Sequence, residues 1–534
     1  RLRDAISIAA PLASLALVIL LPEGEGGRVS WLGLSLVTVS VDPIGRVFGA
    51  AFGIAALAGS VYALRQQNAL ERAAALFYAG VALGVVFAGD LVSFTLFFEL
   101  MAVGSTLVVW SAGERGVALR YAAVHALAGV LMIGGVAAVS SGGTGGFGDI
   151  AGADGFARWL VLAGLLINAG AWPFSFWIPD AYPKASWSGA VFLSAFTTKA
   201  AVFGLLRLFP GEPALVVFGA LMILYGFVYA LLERDMRRLL AYSIVGQVGI
   251  MLVAVGVGTE LALAGAALHA FAHVVYKAML MMAFGAVLVE RGTARLDAIG
   301  NVTRAMPVTM LAAAIGALAL AGLPLTSGFV TKSVISDALG EAGAKAVYLF
   351  LTASAAGTFV YAFCRPAWFI LRAPVPEKRA DDPPLSMLAP VVLLAALTLA
   401  IGFVPASLTR WIDVAGHVEI LTAGHIRLQL AVLAGGGIAF LLAARLVRPR
   451  AVALPDLDRL LRGDLWRRPA ALGERLLKAY RALTEAFERG AARSLAELER
   501  QHGPQGLLGR NWPTGSMALS AAILLGLILL LAYI

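Results

Sequence analysis

Cysteine is nearly absent from this chain: Cys364 is the one thiol in 534 residues, which excludes an internal disulfide, a cysteine-ligated metal cluster and a haem attachment pair. Charge is scarce as well. Only 14% of the residues are charged, where soluble domains carry about 25%. The chain is instead 60% hydrophobic, with a mean hydropathy of +0.85. A soluble body with one or two anchors is excluded, because its soluble part would draw the apolar fraction back toward roughly 45–50%. The chain therefore reads as an all-α, multi-pass membrane protein whose spans make up most of its length. Its net charge of +9 would point to nucleic acid in a soluble protein. Here the positions of the charges matter more than their sum, and no nucleic-acid partner is expected. The first residue is Arg1 rather than Met, so the natural N-terminus is expected further upstream.

About fifteen segments offer the roughly 20 apolar residues needed to cross about 30 Å of hydrocarbon. They lie near 5–21, 44–64, 73–89, 91–112, 117–139, 158–178, 187–207, 213–232, 239–258, 260–289, 306–340, 345–372, 385–404, 425–446 and 515–534. The loops test that reading, since cytoplasmic loops collect Lys and Arg. One alternate set holds Arg65 and Arg72, Arg115 and Arg120, Lys184, then Arg234, Arg237 and Arg238. It continues with Arg291, Arg295 and Arg304, then Arg372, Lys378 and Arg379. The opposite set is nearly bare, with Arg28 and Arg410 toward its two ends and no Lys or Arg over residues 140–157. The alternation places the basic loops in the cytoplasm and the bare loops outside.

Two stretches interrupt plain helices. Pro173 and Pro179 fall within Asn168-Ala-Gly-Ala-Trp-Pro-Phe-Ser-Phe-Trp-Ile-Pro-Asp180, and Gly322, Pro324 and Gly328 fall within Leu320-Ala-Gly-Leu-Pro-Leu-Thr-Ser-Gly-Phe-Val-Thr-Lys332. Non-helical backbone at membrane depth is tolerated only against protein or a wet cavity, and paired interrupted helices mark inverted-repeat transporters. Pro and Gly are also simply commoner in membrane helices. The one long polar stretch, 447–513, carries Leu472, Leu476, Tyr480, Leu483 and Phe487 at spacings of three and four. That period predicts an amphipathic helix of about thirty residues, on the cytoplasmic side, with Leu476, Leu483 and Phe487 on its covered face. A solvated tether is the alternative.

The few ionisable residues within spans carry the chemistry, because each costs on the order of 2.5–3.5 kcal/mol to insert and must face a partner or water. They are Glu99, Lys199, Lys332 and the set His269, His273 and Lys277. Spacings of four put the last three on one helix face about 6 Å apart along the axis, the pattern of a proton relay. A lone histidine such as His125 reads instead as a satisfied core hydrogen bond. Gly143-Thr-Gly-Gly-Phe-Gly148 fits GxGxxG but lies in a loop between spans with no strand before it. His269 and His273 lack a carboxylate or thiol on their span to complete a metal site. No cofactor or metal is expected.

Four ordered motifs then resemble a known family. Asp90-Leu-Val-Ser-Phe-Thr-Leu-Phe-Phe-Glu99, Asp235-Met-Arg-Arg-Leu-Leu-Ala-Tyr-Ser243, His269-Ala-Phe-Ala-His-Val-Val-Tyr-Lys277 and Met306-Pro-Val-Thr309 through Ser327-Gly-Phe-Val-Thr-Lys332 are similar to the antiporter-like subunits shared by respiratory complex I and Mrp-type sodium/proton antiporters, the D-type Mrp group above all. The resemblance implies two inverted five-helix units, each with a broken helix, near 73–207 and 213–372. Spans 1–72 and 385–446 flank them, a lateral-type helix region occupies 447–513 and a last span 515–534. It implies one further helix before Arg1. It also implies that Glu99, Lys199, His269, His273, Lys277 and Lys332 line an ion pathway. The family's lysine nine residues before the Trp of its Trp-Leu-Pro-Asp motif pairs with the glutamate. Counting back from Trp177 puts Asn168 at that position, so the acid is kept and its base is lost.

The function so implied is a proton-translocating subunit of a multisubunit sodium/proton antiporter. Its expected partners are other membrane subunits, protons, sodium and the bilayer, in the inner membrane of a prokaryotic cell. The alternatives left open are a structural or regulatory subunit with an impaired first half-channel, and a subunit of a redox-driven or bicarbonate-transporting complex. Coupling ion and stoichiometry are not encoded in any motif.

Overall fold

The computed structural model describes residues 2–31, 34–141, 145–153, 155–375, 381–412, 419–444, 464–502 and 514–533. Among them, fourteen helices are long and apolar enough to cross a membrane. The fifteenth expected span, 306–340, is present as two helices of 15 residues each.

In chain order the elements begin with α1 (Leu2–Leu20), the hairpin β1 (Gly24–Trp31) and β2 (Leu34–Val41), α2 (Pro43–Tyr62), α3 (Ala69–Phe87), α4 (Leu91–Ser111) and α5 (Arg115–Ser140). The one-turn α6 (Asp149–Gly152) leads to α7 (Gly155–Ala169), the short α8 (Trp177–Ala181), α9 (Gly189–Ala195) and α10 (Thr197–Leu208). Next come α11 (Pro213–Leu232), α12 (Met236–Val257), α13 (Glu260–Arg291), α14 (Pro307–Ala321), α15 (Ser327–Glu341), α16 (Lys345–Phe359) and α17 (Arg365–Arg372). The run ends with α18 (Leu385–Phe403), α19 (Ala406–Thr409), α20 (Ala423–Ala443), α21 (Asp464–His502) and α22 (Thr514–Tyr533).

Both predicted breaks are there. α7 stops at Ala169, and backbone through Pro173 leads into α8. α14 stops at Ala321, where Gly322 takes the left-handed conformation at φ 83 and Leu325 a φ of 65. A β-carbon on Gly328 would fall onto the Ala319 carbonyl oxygen, so the second half-helix starts hard against the end of the first. Two further interruptions were not expected, the first with no Pro or Gly beside it and the second just ahead of Pro366. Phe196 separates α9 from α10, and a π-helical turn at Val360–Cys364 joins α16 to α17.

The hairpin is an addition to the all-helical expectation. Leu34-Ser-Leu-Val-Thr-Val-Ser-Val41 alternates apolar and hydroxyl residues at the period of a strand. It is tied to the bundle by Asp90, whose carboxylate accepts from Val37 N at 2.8 Å and caps α4 through Ser93 N at 2.7 Å. Asp235 likewise caps α12, accepting from Arg237 N and Arg238 N. These two motif carboxylates hold helix ends, a role worth about 1 kcal/mol each.

The 32-residue α13 packs on α2, α9 and α10 on one side and on α12, α14, α15 and α18 on the other, so it joins the two blocks of helices. α11 and α12 meet through glycines: a β-carbon on Gly226 would lie 2.7 Å from Gly246 N and 2.8 Å from Tyr242 O. Small residues allow this approach, which replaces the hydrophobic driving force that lipid removes. Gly226→Leu is therefore expected to lower stability by about 1–3 kcal/mol, the cost of overpacking. Gly134→Leu, which faces open space, should change nothing. Thermal unfolding in detergent distinguishes them, and equal midpoints would contradict the seam.

The bare-loop side holds more basic residues at its helix ends than Arg28 and Arg410. Arg158, Arg207, Lys345 and Arg427 also end there. Arg158 pairs with Glu212 at 2.9 Å and Arg207 with Asp42, so these two add little net positive charge.

The chain divides into two units, Arg1–Ala453 and Leu454–Ile534. In the second, α21 runs 39 residues, longer than expected, and α22 is the last span. Leu483 and Phe487 are 72% and 77% exposed on this chain by itself. The side chains of Leu472 and Leu476, and the parts of the predicted 447–513 region at 447–463 and 503–513, lie outside the described residues.

Candidate functional site

α13 begins at a Thr259 cap and ends at Gly292 in the left-handed conformation. Between them the four-residue repeat sets His269, His273 and Lys277 in a single row, and all three are fully buried. The imidazole centroids of His269 and His273 are 6.4 Å apart, as one helical turn requires. His269 Nδ1 meets Thr331 Oγ1 of α15 at 2.9 Å, and the Lys277 ammonium donates to Ser243 Oγ of α12 at 2.5 Å. His273 finds no protein partner for either ring nitrogen, nor do His269 Nε2 and Ser327 Oγ. Buried polar atoms are ordinarily bonded to protein or to ordered water. The row is thus polar space inside an apolar bundle.

Lys199 and Lys332 flank this row on broken helices. Lys199, fully buried on α10, donates to Ser194 O at 2.6 Å, the carbonyl that the interruption at Phe196 leaves free at the end of α9. Lys332, half-buried on α15, donates to Leu320 O at 2.7 Å at the end of α14. Gln429 Nε2 of α20 reaches the adjacent Ala321 O at 3.1 Å. A helix C-terminus carries about half a negative charge, and that partial charge faces each ammonium. Among the described residues no carboxylate pairs with Lys199, Lys277 or Lys332. His273 feels the charges of Lys199, Lys277 and Lys332 together, so the structure brings five of the predicted residues into one electrostatic group.

Glu99 and Asn168 form a separate group. The half-buried Glu99 carboxylate lies against Gly129 of α5, where any β-carbon would collide with it. It has no hydrogen-bond or ion-pair partner among the described residues. Asn168 does not face it as the missing lysine would. Its Oδ1 accepts from His125 Nδ1 at 2.7 Å and its Nδ2 donates to Gly164 O at 3.1 Å. His125 is packed between Tyr121 and Trp177, at ring-centroid distances of 4.2 and 4.7 Å. The expected core hydrogen bond of His125 is present, and its partner is the residue assigned to Glu99. Trp177 and Asp180 of the Trp-Ile-Pro-Asp motif are held by a Trp177 Nε1 bond to Ile167 O at 3.0 Å and an Arg120–Asp180 ion pair at 2.8 Å.

Ser243, Thr331 and Gln429 were not singled out from the sequence. The first two lie inside quoted motifs, and Gln429 is an amide in α20 deeper than the polar His425 and Arg427 at its start, which is a readable signal.

Residues 88–358 match the family described as NADH:quinone oxidoreductase/Mrp antiporter, TM. The chain is 31% identical over 417 residues to the N-type subunit of NADH-quinone oxidoreductase of Desulforudis audaxviator, covering 69% of this chain and 82% of the relative. It is 29% identical over 349 residues to the D-type subunit of the Na(+)/H(+) antiporter of Alkalihalophilus pseudofirmus, covering 60% and 70%. It spans 48% of the length of a longer relative, a probable K(+)/H(+) antiporter subunit of Rhizobium meliloti. Among solved structures, the Mrp complex from Dietzia sp. superposes with a TM-score of 0.70 at 22% identity, covering 81% of this chain and 94% of the matched chain.

Proposed function

Because the chain belongs to the NADH:quinone oxidoreductase/Mrp antiporter transmembrane family, we propose that it moves protons along the row on α13 as one subunit of a multisubunit sodium/proton antiporter. The observation that carries this reading is the largely buried group of amines and imidazoles, Lys199, His269, His273, Lys277 and Lys332, with which no carboxylate pairs among the described residues. Each of these groups binds and releases one proton, and each lysine rests on a neutral acceptor that holds it in place without a fixed counter-charge. Residues 73–207 and 213–372 act as the two five-helix units, with Lys199 and Lys332 beside an interruption in each. Spans 1–72 and 385–446 pack around them. The region 447–513 braces a neighbouring subunit, and the final span 515–534 anchors it in a prokaryotic inner membrane.

The test is transport by the complex purified through this chain and reconstituted in vesicles. Sodium added to vesicles holding a pH gradient should dissipate it, and His273→Ala should abolish that response while the complex still assembles. Intact exchange in His273→Ala would contradict the relay.

A second reading, a subunit of a redox-driven pump, is favoured by one observation. Asn168 is engaged with His125, which leaves Glu99 without the base that the resemblance pairs with it. Co-purifying subunits with flavin or iron–sulfur spectra, and no sodium response, would establish that reading instead.

A further inference from the structure

Beyond the row, a cavity of about 60 Å³ opens between α15, α16 and α20, lined by Lys332, Ser333, Asp337, Tyr348, Thr352 and His425 among others. By the rule that one water needs about 10–15 Å³ of such space, it holds roughly four to six waters. Its walls hold the half-buried amine of Lys332 and a titratable pair. His425 Nε2 meets Asp337 Oδ1 at 2.9 Å, and its Nδ1 meets Ile420 O at 3.1 Å. Both members of the pair are about a quarter exposed, 26% for His425 and 27% for Asp337. Asp337 lies near the end of α15 and His425 at the start of α20, both toward the bare loops that the charge pattern places outside.

We propose that the His425–Asp337 pair and this cavity form the outward proton-exchange station of the chain. The proton bound at Lys332 Nζ leaves through the cavity water to the open oxygen of the Asp337 carboxylate, whose Oδ1 takes the His425 Nε2–H, and the pair then gives one proton to external water. Lys332 returns to the neutral amine, and the His425–Asp337 pair to its starting form. The charged and titratable groups that line the cavity beside the pair are Lys332 and Tyr348, and Arg427, two residues along α20, points away from it to its own Ala423 O. The transfer deepens the transport reading above and rests on it, whereas the placement of the cavity does not.

Two measurements on the assembled complex keep these apart. In a Cys364→Ser background, Ser336→Cys at the mouth and Ser333→Cys beside Lys332 are exposed to a membrane-impermeant quaternary-ammonium methanethiosulfonate from each face in turn. Labelling of both from the bare-loop face alone is expected. Labelling of Ser333→Cys from the basic-loop face, or from neither, overturns the outward cavity whatever the chain transports. For the transfer, His425→Gly should slow transport about a hundredfold or more, the range a positioned proton-transfer group supplies, and external imidazole should restore it. Unchanged transport in the His425→Gly, Asp337→Asn double variant overturns the station. A loss that imidazole does not rescue assigns the pair a structural role and overturns it equally.

Discussion

Lys277→Ala is expected to reduce proton transport by the assembled complex roughly a hundredfold or more, the contribution of a well-placed proton-transfer group. Lys277 is fully buried at the end of the α13 row and bonded to Ser243 Oγ, with no carboxylate pairing it among the described residues, so its removal takes the terminal proton-carrying group out of the row. Lys277→Arg separates the two roles a lysine has there. Guanidinium keeps the positive charge but does not release its proton. If the row relays protons, Lys277→Arg is as inactive as Lys277→Ala, although the complex forms. If the charge only organises the bundle, Lys277→Arg transports normally and Lys277→Ala fails to assemble. Proton flux in vesicles, read beside the yield of intact complex, decides between them.

Asn168→Leu carries the second large effect, on stability. The substitution removes the acceptor of His125 Nδ1, whose other ring nitrogen already lacks a protein partner. A buried polar group stripped of its partner costs about 1–3 kcal/mol, and thermal unfolding of the complex should show it. Asn168→Lys behaves differently. Its ammonium donates to the other tautomer of His125, which keeps that ring nitrogen bonded. Transport is expected to persist or improve. The Asn168 carbonyl oxygen already accepts from His125 Nδ1, which leaves one lone pair rather than two for a cation. Loss of transport in Asn168→Lys with the complex intact would restore the cradle reading. Transport insensitive to both Asn168→Lys and Glu99→Gln would remove the first half of the chain from the mechanism and leave the path from Lys199 to Lys332.

Much of this was legible along the chain because the signals are local. Twenty apolar residues make a span wherever they fall, Gly322 and Pro324 interrupt a helix by their own backbone chemistry, and three polar residues four apart share a face before anything packs on it. The number of spans, the two proline-marked breaks and the order of His269, His273 and Lys277 are all properties of this local kind. Which group meets which depends instead on how the helices pack. Asn168 faces His125 because α7 meets α5 through Gly164, and Glu99 is held apart against Gly129. Lys199 and Lys332 rest on carbonyls freed where helices end, and the interruption at Phe196 has no proline or glycine to announce it. The pairing of His425 with Asp337 joins residues 88 apart in sequence. Such contacts depend on how closely two helices approach, and that distance is set by side-chain volume on both surfaces, which no single segment encodes.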